Sequence, residues 1–228
     1  MILTGRAEGS MTNINKKTKI YGSFSKEPGN WGCRFHNRGF QNLGIDAIYR
    51  SFGVDNIREA LDAMRVLGIS GAGISMPFKK KVISHVDACS GPVRDIGAAN
   101  TIINNDGHLI AYNTDWIAAE WFLKGHQSNT IYILGNGGYS QAVQYACKTL
   151  EMEFELITRT NWGRIQDLSQ SVIFNCTPLE KRQVRPVPSN HYIDCLITTP
   201  MGQRLASIQA AEQFKLYTGK DYPCLNSA

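Results

Sequence analysis

The spacing of apolar and polar positions predicts a β-α-β-α-β unit in the first third of the chain. Lys19–Phe24 and Ala47–Phe52 are short runs rich in the aromatic and β-branched residues that favour strands. A helix is predicted over Cys33–Leu43, and a second in NIREALDAMRVLG, with Asn56 as its cap and Gly68 as its stop. The small-residue run GAGIS predicts a third strand. This alternation implies parallel strands covered by helices.

The middle of the chain changes pattern. The segment TIINNDGHLIAYN predicts a β-hairpin whose turn ends at Gly107. The amphipathic segment TDWIAAEWFLKG predicts a helix capped by Thr114 or Asp115, and Gly125–Asn129 is expected to mark a domain boundary. A new β-α-β unit is predicted to begin at Thr130.

This second unit carries a glycine turn between a strand and a helix, in TIYILGNGGYSQAVQYACKTL. Gly135 and Gly137 form a G-x-G pattern, and Gly138 follows. Glycines let the backbone turn tightly and approach a pyrophosphate, which the helix N-terminus attracts. The alternative is an ordinary tight turn, but the strand–turn–helix context favours nucleotide binding.

The next strand of this unit, FELITRT, ends in Thr158, Arg159 and Thr160. NAD-binding folds usually place an acidic residue here to hold the ribose 2′-hydroxyl. A guanidinium with two hydroxyls suits a 2′-phosphate, so NADP is the expected cofactor. The alternative is that Arg159 is a solvated side chain at a loop edge.

Composition and charge are those of a soluble globular protein. Of its 228 residues 43% are hydrophobic and 19% charged, and the net charge of +5 is scattered along the chain. We therefore expect an anionic small molecule as partner, and no nucleic acid. No apolar run is long enough to cross a membrane, and no signal peptide is expected. Met11 is an alternative start, with Met1–Ser10 as an extension.

The cysteines are widely spaced and contain no C-x-x-C pair, so we expect neither a metal site nor a disulfide framework. Reduced thiols favour a cytoplasmic location. The six are Cys33, Cys89, Cys147, Cys176, Cys195 and Cys224.

Polar side chains with catalytic potential lie at predicted strand ends in the first half: Ser75, Lys79, Asn100 and Asp115. Oxidation of an alcohol requires removal of the hydroxyl proton, and a partly desolvated lysine can accept it. A neighbouring carboxylate would orient that lysine. Taken alone, however, a lysine that follows Pro-Phe is more often solvated.

Several motifs occur together in a fixed order: SMPFKKKVISHVD, GAANTIINNDGHLIAYNTD, ILGNGGYSQAV, TRT, NCTP and QAAEQFKLYTG. In this order they resemble the shikimate dehydrogenase family over about Lys19 to Gly219. The resemblance implies that Lys79 is the acid/base and that Asp115 is its catalytic partner. It implies that Ser75, Asn100 and Gln209 hold substrate hydroxyls.

The same resemblance implies a set of cofactor contacts, and it leaves Lys80 and Lys81 as solvated side chains. The expected cofactor-binding residues are Gly135, Gly137, Gly138, Thr158, Arg159, Thr160, Asn175 and Thr177.

Three departures from the family pattern stand out. Family members usually carry S-x-S-P before a His-Asn pair, but here Asn30 and Gly32 occupy the serine positions, and Ser23 and Ser25 lie further upstream. Trp116 replaces a small residue after N-T-D. The nucleotide half is short, with room for one brief helix between residues 160 and 172 and no G-L-G-M-like loop before Gln209. The first departure, the missing serine pair, resembles the divergent shikimate dehydrogenase-like subgroup.

We therefore expect a two-lobed α/β protein with an N-terminal α/β substrate lobe (11–118, with 204–228 packing back) and a shortened Rossmann-like dinucleotide-binding lobe (119–203). The expected activity is NADP-dependent, reversible oxidation of a ring hydroxyl on shikimate or a related small anionic hydroxy acid. Two alternatives stay open: a catalytically weak binding or regulatory protein, and a dehydrogenase of an unrelated polyhydroxy acid. A monomer and a homodimer are both compatible with the sequence.

Overall fold

The computed structural model of the protein describes residues 14–126 and 130–223. The expected extension Met1–Ser10, the alternative start Met11, Cys224 and part of the boundary Gly125–Asn129 lie outside the described residues. Two β-sheets are present, one of six strands and one of four. The described part of the chain therefore forms two lobes, each built on its own sheet.

The first lobe is built on the six-stranded sheet, whose strand order is β2-β1-β3-β5-β6-β4. Strand β1 pairs in parallel with both β2 and β3, as the β-α-β-α-β pattern predicts. Strands β5 and β6 form the predicted antiparallel hairpin, and β5 joins the sheet antiparallel to β3. The strands are β1 (Lys19–Ser25), β2 (Ala47–Gly53), β3 (Gly71–Ile74), β4 (Ala88–Cys89), β5 (Thr101–Asn105) and β6 (His108–Tyr112).

Local sequence explains where these elements begin and turn. Asn56 accepts a hydrogen bond from the backbone N–H of Arg58 at 3.0 Å and so caps a helix, as predicted. Asp106 and Gly107 both have positive φ (50° and 92°), which is the geometry of a tight two-residue hairpin turn. The helices are α1 (Trp31–Asn42), α2 (Ile57–Val66), α3 (Gly91–Ile96) and α4 (Asp115–Leu123), with a short 3-10 helix at Lys81–His85.

The second lobe is built on the four-stranded sheet, in which all pairings are parallel and the order is β10-β9-β7-β8. The one brief helix expected between residues 160 and 172 is a 3-10 helix at Trp162–Asp167. The elements are β7 (Ile131–Leu134), α5 (Gly138–Thr149), β8 (Phe154–Ile157), β9 (Val172–Asn175), α6 (Lys181–Val184) and β10 (His191–Asp194).

A long C-terminal helix, α7 (Pro200–Thr218), ties the two lobes together. The helix begins at Pro200, four residues before residue 204, where the C-terminal segment that packs back was expected to begin. Thr199 caps it by accepting a hydrogen bond from the N–H of Gly202 at 3.0 Å. Its early part packs into the core of the second lobe through Leu205, and its later part packs into the first lobe through Phe214. The helix therefore carries side chains across the junction of the lobes.

Within the described residues, no helix combines the length and the apolar character that crossing a membrane would require.

Candidate active site

The segment that follows β3 brings Lys79 to the junction of the lobes. Phe78 is buried in the core of the first lobe and anchors this segment. The carbonyl of Lys79 accepts a hydrogen bond from the N–H of Ala99 at 2.8 Å, which fixes the backbone beside Asn100. Lys79 lies just before the 3-10 helix at Lys81–His85 and is not itself part of a helix.

Lys79 and Asp115 form the ion pair that the family resemblance implies. Lys79 Nζ lies 2.5 Å from Asp115 Oδ2, and the two side chains are 18% and 3% exposed. Asp115 is the first residue of α4, where the partial positive charge of the helix N-terminus favours a carboxylate. The pair is therefore shielded from water on the carboxylate side and reachable on the lysine side.

A hydrogen-bond network fixes the second oxygen of that carboxylate. Asn100 is buried, and its side-chain amide donates to Asp115 Oδ1 at 2.9 Å, to Thr114 Oγ1 at 2.9 Å and to Gln209 Oε1 at 3.0 Å. Gln213, one helical turn after Gln209, donates to the carbonyl of Asn100 at 3.0 Å. Helix α7 thus delivers two amides to the site, of which only Gln209 was predicted from the sequence.

These groups line one cleft between the carboxyl ends of the strands and α7. Its walls bring together all five residues predicted for catalysis and substrate binding: Ser75, Lys79, Asn100, Asp115 and Gln209.

The cleft is also lined by three serine hydroxyl groups that were not predicted to belong to the site. Ser23, Ser25 and Ser51 line the cleft although they do not align with the family's serine pair. Ser23 Oγ donates to Ser51 Oγ at 3.1 Å, and Ser51 Oγ donates to the carbonyl of Gly29 at 2.8 Å. Polar residues at the carboxyl ends of adjacent parallel strands were the signal that could have identified them.

Lys80 is not the purely solvated side chain that was expected. Its Nζ donates to the backbone carbonyl of Asn136, in the glycine turn of the second lobe, at 3.3 Å. The side chain of Lys81 forms no hydrogen bond or ion pair within the described part of the chain, and it is exposed. The three lysines therefore have three different environments.

The glycine turn has the features of an anion-binding helix N-terminus. Gly135 has φ +94°, which only glycine adopts readily, and a Cβ added there would lie 3.0 Å from Thr177. A Cβ added at Gly137 would meet nothing within 4 Å, so this residue faces open space. Gly137 precedes α5, whose first turn has no acidic residue and no side-chain cap. The first-turn N–H groups of α5 are thus available to an anion.

The end of β8 carries the residues expected at the ribose. Thr158 and Thr160 are joined through their hydroxyls at 2.9 Å, and Arg159 between them is exposed. Within the described residues, Arg159 has no ion-pair or hydrogen-bond partner. Its guanidinium is therefore free to meet a ligand.

Asn175 and Thr177 are committed to the turn after β9. Asn175 is buried and donates to the carbonyl of Leu179 at 2.9 Å and to Asp194 Oδ1 at 3.3 Å. The hydroxyl of Thr177 donates to Asn175 Oδ1 at 2.7 Å. These two side chains shape the wall beside Gly135 and have little hydrogen-bonding capacity left for a cofactor.

Two thiols sit at the ends of β9 and β10, in the same region. Burial raises the pKa of Cys195 to about 12 and that of Cys176 well above its usual range. Both are therefore neutral thiols rather than nucleophiles. Among residues 14–126 and 130–223 no group of three or more His, Cys, Asp or Glu side chains is arranged to hold a metal ion.

Comparison with known proteins relates this site to a known architecture. Residues 31–102 match the family model described as the shikimate dehydrogenase substrate binding domain. A shikimate dehydrogenase-like protein of Haemophilus influenzae is 37% identical over 143 residues, which cover 61% of this chain and 53% of that protein. A protein of Pyrococcus abyssi named shikimate dehydrogenase (NADP(+)) is 38% identical over 131 residues, covering 56% and 50%. The match spans about half the length of these relatives.

The fold comparison extends further along the chain. The solved structure of a shikimate 5-dehydrogenase-like protein superposes with a TM-score of 0.78 at 27% identity, covering 92% of this chain and 95% of that one. The expected two-lobed α/β fold is confirmed, and so is the similarity to a divergent subgroup.

Proposed function

We propose that the chain belongs to the shikimate dehydrogenase family, which it resembles in sequence and fold, and that it oxidises, reversibly and with NADP, a ring hydroxyl of shikimate or a related hydroxy acid. The observation that carries this proposal is the Lys79–Asp115 pair, 2.5 Å apart in a cleft lined by hydrogen-bonding side chains. Lys79 and Asp115 form the proposed acid–base pair.

The proposed chemistry of the pair follows from its surroundings. Lys79 takes the proton of the reacting hydroxyl when its amine is neutral, and returns the proton in the reverse direction. Asp115 holds the amine in place, since its other oxygen is fixed by Asn100. Asp115 also balances the positive charge that forms on Lys79, so no charge is left unpaired in the cleft.

The proposed substrate contacts are hydroxyl and amide groups rather than cations. Ser75 lies beside Lys79 in the cleft wall, and Gln209 reaches it from α7. Ser25 offers a hydroxyl donor to a carboxylate, whereas the hydroxyl protons of Ser23 and Ser51 are already donated to Ser51 and to the carbonyl of Gly29. No arginine is among the described residues that line the cleft; Arg34 is exposed on α1 outside it.

The residues present fit a dinucleotide. When bound, the cofactor would supply hydride acceptance from the carbon that bears the hydroxyl. The pyrophosphate would be held at Gly135, Gly137 and Gly138 by the N–H groups of the turn and of α5. Lys80 would add a positive charge beside this turn from the other lobe.

The proposed choice of NADP rests on the end of β8. Arg159 is an unpaired guanidinium among the described residues, between the hydroxyls of Thr158 and Thr160. No acidic residue occupies this strand end to accept a ribose 2′-hydroxyl. A 2′-phosphate is therefore the better complement. Asn175 and Thr177 would support the cofactor indirectly, because they fix the turn after β9 that lies beside Gly135.

A second candidate function is a binding protein with little turnover. The observation that favours it is the short connection from β10, which ends at Asp194, to α7, which begins at Pro200. No loop of the G-L-G-M kind is present there to seat the reacting end of a cofactor. Catalysis depends on close alignment of the reacting groups, so such a lobe could bind NADP and still react slowly.

One experiment separates these functions. Formation of NADPH is followed with shikimate, quinate and related hydroxy acids, and binding of NADP and of each acid is measured in parallel by titration calorimetry. Turnover of at least one acid supports the dehydrogenase. Binding of both ligands without turnover supports the binding protein, and no binding of any of these acids contradicts the proposed substrate class.

A further inference from the structure

We propose that Tyr139 is a positioning residue, whose aromatic ring holds the side chain of Lys79 against Asp115. Tyr139 directly follows the glycine turn and is the second residue of α5. Lys79 Nζ lies 5.4 Å from the centroid of its ring, within the range of a cation–π contact. This inference rests on the proposed role of Lys79 as acid/base.

The second lobe also packs directly on the stem of Lys79. A Cβ added to Gly138 would lie 2.9 Å from the Cβ of Lys79, which is closer than side chains tolerate. Glycine at this position therefore permits the approach that places the ring of Tyr139 beside the ammonium group. Lys79 is held on one side by Asp115 of α4 and on another by the start of α5.

The hydroxyl of Tyr139 does not act as a second base in this arrangement. Burial, and then the neighbouring Cys195 and Asp115, raise the pKa of Tyr139 well above its usual value. The phenol therefore remains protonated at any working pH. The ring is also fixed by packing, since its centroid lies 6.3 Å from that of Phe174 in the core of the second lobe.

A ring in this place has a clear physical use. A lysine ammonium is a compact charge on a flexible four-carbon stem, so a single carboxylate leaves it several orientations. The ring face attracts the charge from a second direction and removes part of that freedom. Because small displacements of a catalytic group lower the rate strongly, we expect the ring to affect kcat more than KM.

Nuclear magnetic resonance tests the placement without turnover. Lysines of the full-length protein are dimethylated with ¹³C-formaldehyde, which keeps their charge, and the Lys79 signal is assigned by its loss in Lys79→Ala. The ring face should shift this signal upfield in the wild type and in Tyr139→Phe, and the shift should vanish in Tyr139→Leu. An unshifted wild-type signal, or a shift that persists in Tyr139→Leu, overturns the placement.

Kinetics test the consequence, with Tyr145→Leu as a matched control. Tyr145 is also on α5, but it packs edge-on against Trp116. We expect Tyr139→Leu to lower kcat about tenfold with little change in KM, and Tyr139→Phe and Tyr145→Leu to stay within about threefold of wild type. Equal losses in Tyr139→Phe and Tyr139→Leu would assign the effect to the hydroxyl and overturn the inference.

The failure of this inference differs from the failure of the proposed function. If Lys79→Ala abolishes turnover while Tyr139→Leu changes neither the signal nor kcat, only the role of Tyr139 is wrong. If Lys79→Ala retains full turnover, the proposed acid–base pair is wrong, whatever Tyr139 does.

Discussion

At the scale of single residues, the neighbours of a charge decide what it can do. Lys79, Lys80 and Lys81 carry the same group within three consecutive positions. Lys79 meets a carboxylate that is 3% exposed, Lys80 reaches a backbone carbonyl of the other lobe, and Lys81 is exposed. An acid/base role is thus supported for one of the three, and Lys81 is the natural control for it.

The unpaired guanidinium at the end of β8 gives a prediction about cofactor choice. Arg159→Ala should weaken NADP binding by about 1.5–3 kcal/mol, the usual value of a hydrogen bond to a charged group, and should leave NAD binding nearly unchanged. Isothermal titration with the two cofactors measures this difference. Arg164→Ala is the matched control, because Arg164 is in the same lobe but pairs with Glu155. Equal losses for NADP and NAD would contradict the assignment.

A buried histidine gives a prediction about pH. His36 is 1% exposed, and burial lowers its pKa to about 3, partly opposed by the nearby side chain of Gln213. Between about pH 6.5 and pH 3, His36 therefore binds a proton in the unfolded chain but not in the folded chain. This contribution to stability is complete above about pH 6.5 and is lost as the pH falls, by at most about 1.4 kcal/mol per pH unit.

Chemical unfolding at a series of pH values measures this slope. Below about pH 6, His36→Gln should reduce the slope of the unfolding free energy against pH by the amount that one bound proton contributes. This holds whatever the substitution does to stability at neutral pH. An unaltered slope in His36→Gln would show that the imidazole is protonated in the folded state.

At the scale of elements, the start of α7 determines whether Gln209 reaches the cleft. Gly202 lies in the first turn of this helix, and a Cβ added there would clash with the backbone carbonyl of Leu196. Glycine therefore allows α7 to begin directly after β10.

Because Gly202 lies so close to the carbonyl of Leu196, adding one methyl group at Gly202 should have a strong effect. Gly202→Ala should lower the free energy of unfolding by about 1–3 kcal/mol or more, because backbone atoms must move to accept it. It should also lower turnover, since Gln209 lies two turns further along the helix. Denaturant unfolding compares it with Gly91→Ala, where an added Cβ meets nothing within 4 Å and little change is expected. Equal stability of the two variants would contradict the packing.

Several elements could be predicted from the sequence because their signals are local. The Asn56 cap and the Asp106–Gly107 turn depend on side chains and backbone angles within a few residues. The start of α7 also has a local signal, because Thr199 caps it and Pro200 follows, but the contact between Gly202 and the chain leaving β10 could not be predicted in this way. Ser51 could have been identified, because the predicted parallel pairing of β1 and β2 places it beside Ser23.

At the scale of the whole molecule, the residues of the cleft come from the first lobe and α7, and the second lobe packs against one of them. Asp115 begins the helix that leaves the first lobe, Gln209 arrives on α7, and the turn at Gly138 packs on Lys79. The order of motifs in the sequence predicted that these residues share a site. Their separations, and the contact of Lys80 with the glycine turn, depend on how the lobes pack and could not be predicted from spacing.

The central claim is that Lys79, held by Asp115, moves the proton of the reacting hydroxyl. The most direct measurement is kcat for NADPH formation by Lys79→Ala and by Lys81→Ala, with an acid that the wild type oxidises. The account predicts a loss of about 10²–10⁴ in Lys79→Ala, little change in KM, and activity within about threefold of wild type in Lys81→Ala. Near-complete activity in Lys79→Ala, or an equal loss in Lys81→Ala, would contradict it.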